Sequence, residues 1–155
     1  MKSTLYAQSI NLTNQITMKI ILLDADYAEV SYDEELKLGK IEWKRKTTTE
    51  EYQYAFMVIL EHAKKNPSDN FLSDIRKQSV VSPENRKWFE TEMLPQAIEA
   101  GLKRAAVIFD GNVFKKYYIN MIIKVTNKYG LPLKVFNTEE EAIEWFKGKE
   151  YAETG

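Results

Sequence analysis

Two periods of apolar and polar residues alternate along this chain. Residues 28–32 switch between apolar and polar with period two, Asp33-Glu34-Glu35 interrupts as a polar turn, and Leu36, Leu38, Ile41 and Trp43 resume the alternation, which predicts a β-hairpin. Thr49 then stands before Glu50 and Glu51 as an N-cap with acids in the first helical turn. The helical pattern runs to Lys65 and stops at Asn66-Pro67. Residues 70–75 read as a short apolar strand. Ser82-Pro83-Glu84 supplies a cap, a proline at the first helical position and a favourable acid for a helix that reaches about Gly101, with Pro95 as a kink. A buried strand over 104–109, a helix over 112–129 closed by Gly130, a strand over 132–136 and a helix over 138–147 closed by Gly148 complete the pattern. The order β-β-α-β-α-β-α-β-α predicts one α/β domain: a mostly parallel sheet with an antiparallel N-terminal hairpin, about four helices and right-handed crossovers.

Residues 1–17, MKSTLYAQSINLTNQIT, are polar and hold no apolar run of signal-peptide length. Met18 opens MKIILLDADYAEV like a domain start, so 1–17 reads as an optional extension or an upstream-start artefact, 18–148 as the domain and 149–155 as a tail. The run from Ile20 to Leu23 is far short of the ~20 residues of a membrane span, so a soluble cytoplasmic protein without membrane insertion is expected.

Composition narrows the chemistry. The 155 residues contain no cysteine, which excludes thiol catalysis, thiolate zinc sites and cysteine-ligated iron–sulfur clusters. With 22 basic against 23 acidic residues the net charge is -1, which argues against a nucleic-acid partner. Lysines 115, 116, 124, 128 and 134, interleaved with Tyr117 and Tyr118, read as a basic patch or as an ordinary solvated face. His62 is the only histidine and sits near a helix C-terminus, where an exposed cation complements the dipole. Glu139, Glu140 and Glu141 fall in the first turn of the last helix, a dipole pattern rather than a metal site. No phosphate-binding or dinucleotide motif is present, so neither cofactor nor metal is expected. Asp74 and Asp110 stand at the C-terminal ends of parallel strands, the edge where open α/β sheets bind ligands, although turn and cap roles account for them as well.

Two helices carry apolar residues on a second side. Tyr54, Met57 and Val58 oppose the stripe of Tyr52, Ala55, Phe56, Ile59 and Ala63. Ile119 and Ile123 oppose the stripe of Phe114, Tyr118, Met121, Ile122, Val125 and Tyr129. Such helices are wedged between other elements or present a contact surface, and the second reading predicts a homodimer through Tyr54, Met57, Val58, Ile119 and Ile123. Trp88 falls opposite the arc of Phe89, Met93, Leu94, Ala97 and Ile98, which reads as a partner contact, or else as a ring that Arg76 or Lys87 covers or whose placement Pro95 shifts.

The strings YDEELKLGKIEW, NFLSDIRKQSVVSPENRKWF, LPQAIEAGLKRAAVIF and VFNTEEEAIEWFK together resemble the bacterial SpoIIAA-like, STAS/SEC14-type small domains over about residues 18–148. The resemblance implies a SpoIIAA-like fold. Relatives include anti-sigma-factor antagonists, cytoplasmic domains of anion transporters and lipid-carrying SEC14 domains. In the antagonists a strand leads to an Asp-Ser-Ser-Gly helix start with a phosphorylated serine. Here Asp74-Ile75-Arg76 matches the strand end, and Ser82-Pro83-Glu84-Asn85 stands where that motif would, with proline and glutamate in the serine positions. The resemblance therefore implies a non-catalytic regulatory module lacking the usual phosphorylatable serine. It would act on a regulatory protein through Asp74, Arg76, Ser82, Glu84, Trp88 and Asp110. The alternative is a SEC14-like carrier of a small apolar or lipid-like ligand, with Met57, Met93 and Met121 in a pocket or simply filling the core. An enzyme using Asp74 or Asp110 as the acid comes third.

Overall fold

The computed structural model describes residues 4–10 and 16–148. Within them the strands β1 (Thr4–Ile10), β2 (Ile16–Asp24), β3 (Ala28–Asp33), β4 (Leu38–Trp43), β5 (Asn70–Asp74), β6 (Arg104–Ile108) and β7 (Leu133–Phe136) form one seven-stranded sheet in sequential order. Pairing is antiparallel from β1 to β4 and parallel from β4 to β7. The predicted hairpin is β3–β4. Ahead of it lie two strands that the periodicity did not announce. Ile21 and Leu22 of β2 are both buried, so this strand reads as a short apolar run rather than an alternation. The backbone of β1 pairs with β2 from within the segment expected to be an optional extension.

Each crossover carries a helix. Helix α1 (Thr49–Ala63) starts one residue earlier than expected. Thr48 is the cap, its hydroxyl accepting from the Glu51 N–H at 3.1 Å while the Glu51 carboxylate accepts from the Thr48 N–H at 3.0 Å. Ser82 caps α2 (Pro83–Trp88) by accepting from the Asn85 N–H. The expected kink at Pro95 takes the form of a π-helical turn, Phe89–Met93, between α2 and α3 (Leu94–Glu99). Proline cannot donate to the carbonyl a turn earlier and crowds it, and a wider turn relieves both. Helices α4 (Val113–Lys128) and α5 (Glu139–Phe146) follow β6 and β7, and Gly130 and Gly148 close them at φ 70° and 76°.

Because strand side chains alternate, the sheet has two apolar faces. Ile41, Trp43 and Val107 pack under α1, α3 and α4, while Leu38, Leu72, Ala106 and Ile108 pack under α5 through Ala142, Trp145 and Phe146. Gly39 lets α1 approach β4 closely: a Cβ there would stand 2.8 Å from both Cγ1 and Cδ1 of Ile59.

The two surplus stripes are wedged inside the molecule, which corrects the expectation that they form a dimer face. Val58 and Ile119 are 2% and 5% exposed, and Met57 and Ile123 pack against the same core; Tyr54 alone of the five is exposed, by about half. Helix α4 is rotated from the predicted setting. Thr126 is buried, its hydroxyl donating to the carbonyls of Ile122 and Ile123 at 3.0 Å, so a polar residue sits on the inward face and disguises it. Trp88 is also turned inward, its ring centroid 6.2 Å from that of Tyr52 and 6.1 Å from that of Phe56. The π turn changes the angular phase between α2 and α3, so a single 100° wheel misplaces one relative to the other.

Candidate functional site at the carboxyl edge of the parallel strands

Three loops meet where β4, β5 and β6 end. Asp74 closes β5 and is buried. Its carboxylate accepts from Arg76 Nε at 2.9 Å, from Arg76 Nη2 at 2.7 Å and from the Arg76 backbone N–H at 3.2 Å. Burial pushes this carboxyl up, but the hydrogen bonds from Arg76 outweigh it and hold the group below its ordinary range, so it stays ionised near neutral pH and is a poor general acid. Lys40 and Glu139 pair at 2.8 Å, joining β4 to the start of α5, which gives the first of the three glutamates a structural partner.

Asp110 sits on the neighbouring loop and accepts from the Asn112 N–H at 2.9 Å, while Asn112 caps α4. Its other oxygen lies 3.7 Å from Lys115 Nζ, which donates to the carbonyls of Ile75 and Arg76 at 2.8 Å each. Lys115 thus latches the α4 start onto the β5 loop and brings Asp74, Arg76 and Asp110 into one polar cluster. In the sequence it is one of the patch lysines, and nothing distinguishes it there from its neighbours. Ser82 and Glu84 stand at the start of α2, the first as its cap and the second as an exposed acid in its first turn. Trp88 does not join this cluster.

Apolar side chains stand uncovered around these loops. Val80 is 63% exposed, Val113 and Tyr117 71% and Phe114 80%. Side chains in the first turn of a helix lean toward its N-terminus, so Val113 and Phe114 project past the sheet edge instead of down onto the core. A helical wheel has no signal for that, and it placed Phe114 in the core stripe.

Elsewhere the chemistry is sparse. His62 is partly buried against the Tyr32 ring at 4.3 Å, and desolvation lowers its pKa, so it is a neutral packed residue rather than the exposed cation expected. Burial raises the Tyr52 phenol and pushes Tyr118 up to about 12. Among the described residues no group of three or more histidines or acids is placed to hold a metal ion, and no helix is long and apolar enough to cross a membrane. Hollows among the described residues include an apolar cavity of about 70 Å³ between the sheet and α1, α3 and α4, a groove of about 210 Å³ between α2 and α4, and a more polar hollow of about 80 Å³ between the start of α1 and residues 78–82.

No family model matches the chain, and neither does any curated protein. Among solved structures it is similar to an uncharacterised protein of the DUF3478 family from Shewanella loihica PV-4. That protein is described as having a SpoIIAA-like fold. The two share 16% identity and a TM-score of 0.48 over 94% of this chain and 96% of that one. No residue's role passes from one chain to the other at this identity.

Proposed function

We propose that the chain is a non-catalytic interaction module of the STAS-type regulatory kind, which docks a protein partner on the carboxyl edge of its parallel strands. The observation that carries this reading is the exposure of Val80, Val113, Phe114 and Tyr117 around two neighbouring loops that Lys115 ties together. Large apolar side chains clustered on an ordered surface mark contact sites, and aromatic residues supply most of the binding energy in such sites. Asp74 and Arg76 act here as scaffold, since each satisfies the other.

A photo-crosslinking residue at Tyr117 tests the proposal, with the same residue at Glu35, on the turn at the opposite sheet edge, as the control. The expected result is one adduct specific to position 117, whose purified partner binds the Phe114→Asp variant at least about 30-fold more weakly, the loss of a typical hot spot. Equal labelling at the two positions refutes it. The carrier reading keeps one observation in its favour, the apolar cavity under α1 and α3.

A further inference from the structure

The inner cavity and the outer groove share three lining residues, Phe89, Tyr118 and Ile122, so the two adjoin at this wall. The cavity is almost wholly apolar and holds about 70 Å³. That is roughly half of the ~150 Å³ that accommodates a benzene molecule in an engineered protein cavity, so a ligand anchored there must extend beyond it, and the shared wall gives it a route into the groove. The groove differs in character. Arg86 and Lys87 stand on its rim and form no ion pair with any described residue, and the positive charge of Arg86 reaches the Tyr118 hydroxyl. The one acid of the groove, Glu90, is already engaged by Lys128 at 3.6 Å.

An apolar end and a cationic mouth specify a ligand with two matching ends. We propose that the chain binds a monomeric anionic amphiphile, such as a medium-chain carboxylate. Its tail passes between Phe89, Tyr118 and Ile122 into the cavity, and its head group is held by Arg86 and Lys87. This inference rests on the carrier reading and adds to it the charge of the ligand and its route of entry. It is independent of protein docking at the strand edge.

Calorimetric titration of the full chain with octanoate and with 1-octanol, each below its self-association concentration, separates the possibilities. Octanoate is expected to bind saturably at one site, about fivefold or more tighter than octanol, since two part-exposed charge contacts contribute on that scale. Arg86→Gln with Lys87→Gln should remove this advantage and leave octanol binding unchanged. Ile122→Trp, checked for folding by circular dichroism and replaced by Ile122→Phe if it does not fold, should weaken both ligands. Equal binding of acid and alcohol, indifferent to the double variant, overturns the anionic head group while the carrier reading survives. Binding of octanoate that ignores the Ile122 substitution overturns the route. No binding of either ligand overturns both this inference and the carrier reading.

Discussion

The facing of α4 decides which of its apolar residues hold the fold together and which are free to bind, and Ile119 and Phe114 separate the alternatives. Ile119 is 5% exposed and belongs to the main core cluster, whereas Phe114 is 80% exposed. Ile119→Ala deletes a buried branched side chain, which costs about 2–5 kcal/mol including the cavity left behind. For a chain of this length each kcal/mol moves Tm by about 2–4 °C, so a fall of roughly 4–20 °C is expected. Phe114→Ala removes surface that folding scarcely buries and sits where alanine suits a helix; its effect should stay within about 0.5 kcal/mol. Differential scanning calorimetry supplies both values, and urea midpoints at constant slope check that the unfolding reaction itself is unchanged. The double substitution Ile119→Lys with Ile123→Lys adds a qualitative readout. Two charges placed in the core should unfold the chain, whereas a dimer face would yield a folded monomer. If Phe114→Ala costs more than Ile119→Ala, or the lysine pair gives a stable folded monomer, the facing described above is wrong, and with it the assignment of the docking edge.

Three further outcomes follow from the packing and the charges. Gly39→Ala should cost about 1–3 kcal/mol, because its new methyl meets Ile59 at 2.8 Å, and Ile59→Val should recover part of that; strictly additive urea-unfolding energies for the pair would count against the close contact. Arg76→Ala leaves the buried Asp74 carboxylate without its partner, and should cost about 1–2 kcal/mol at neutral pH after allowance for the solvent around the guanidinium. Because Asp74 has a lowered pKa in the folded chain, this stabilisation is complete above the unfolded carboxyl pKa and is lost as pH falls through the folded value, so the gap between wild type and variant should close on acidification; a gap constant with pH would refute the pairing. His62 is lowered by burial, so the folded chain resists its protonation. Stability should be flat above about pH 6.5 and decline below it, and His62→Gln should flatten that decline in urea titrations.

Local chemistry along the chain governs one set of elements. The hairpin, the strands at 70–74, 104–108 and 133–136, the caps at Ser82, Asn112 and Thr138 and the glycine stops at 130 and 148 all lie within a residue or two of where period, capping and turn residues put them. The residue order that carries Asp74 and Asp110 to the carboxyl edge of the parallel strands is legible in the same way. The tertiary structure decided the rest. Strand β2 pairs its neighbours across long-range backbone bonds that leave no alternation to read. A buried Thr126 that satisfies its own hydroxyl turns α4 away from its apparent stripe, and a π turn at Phe89–Met93 swings Trp88 inward. Lys115 becomes a latch only because two distant carbonyls converge on it, and a cationic groove meets an apolar cavity only because α2 and α4 lie side by side. Local rules act on neighbours within a few residues, whereas burial, latching and cavities depend on which distant surfaces meet.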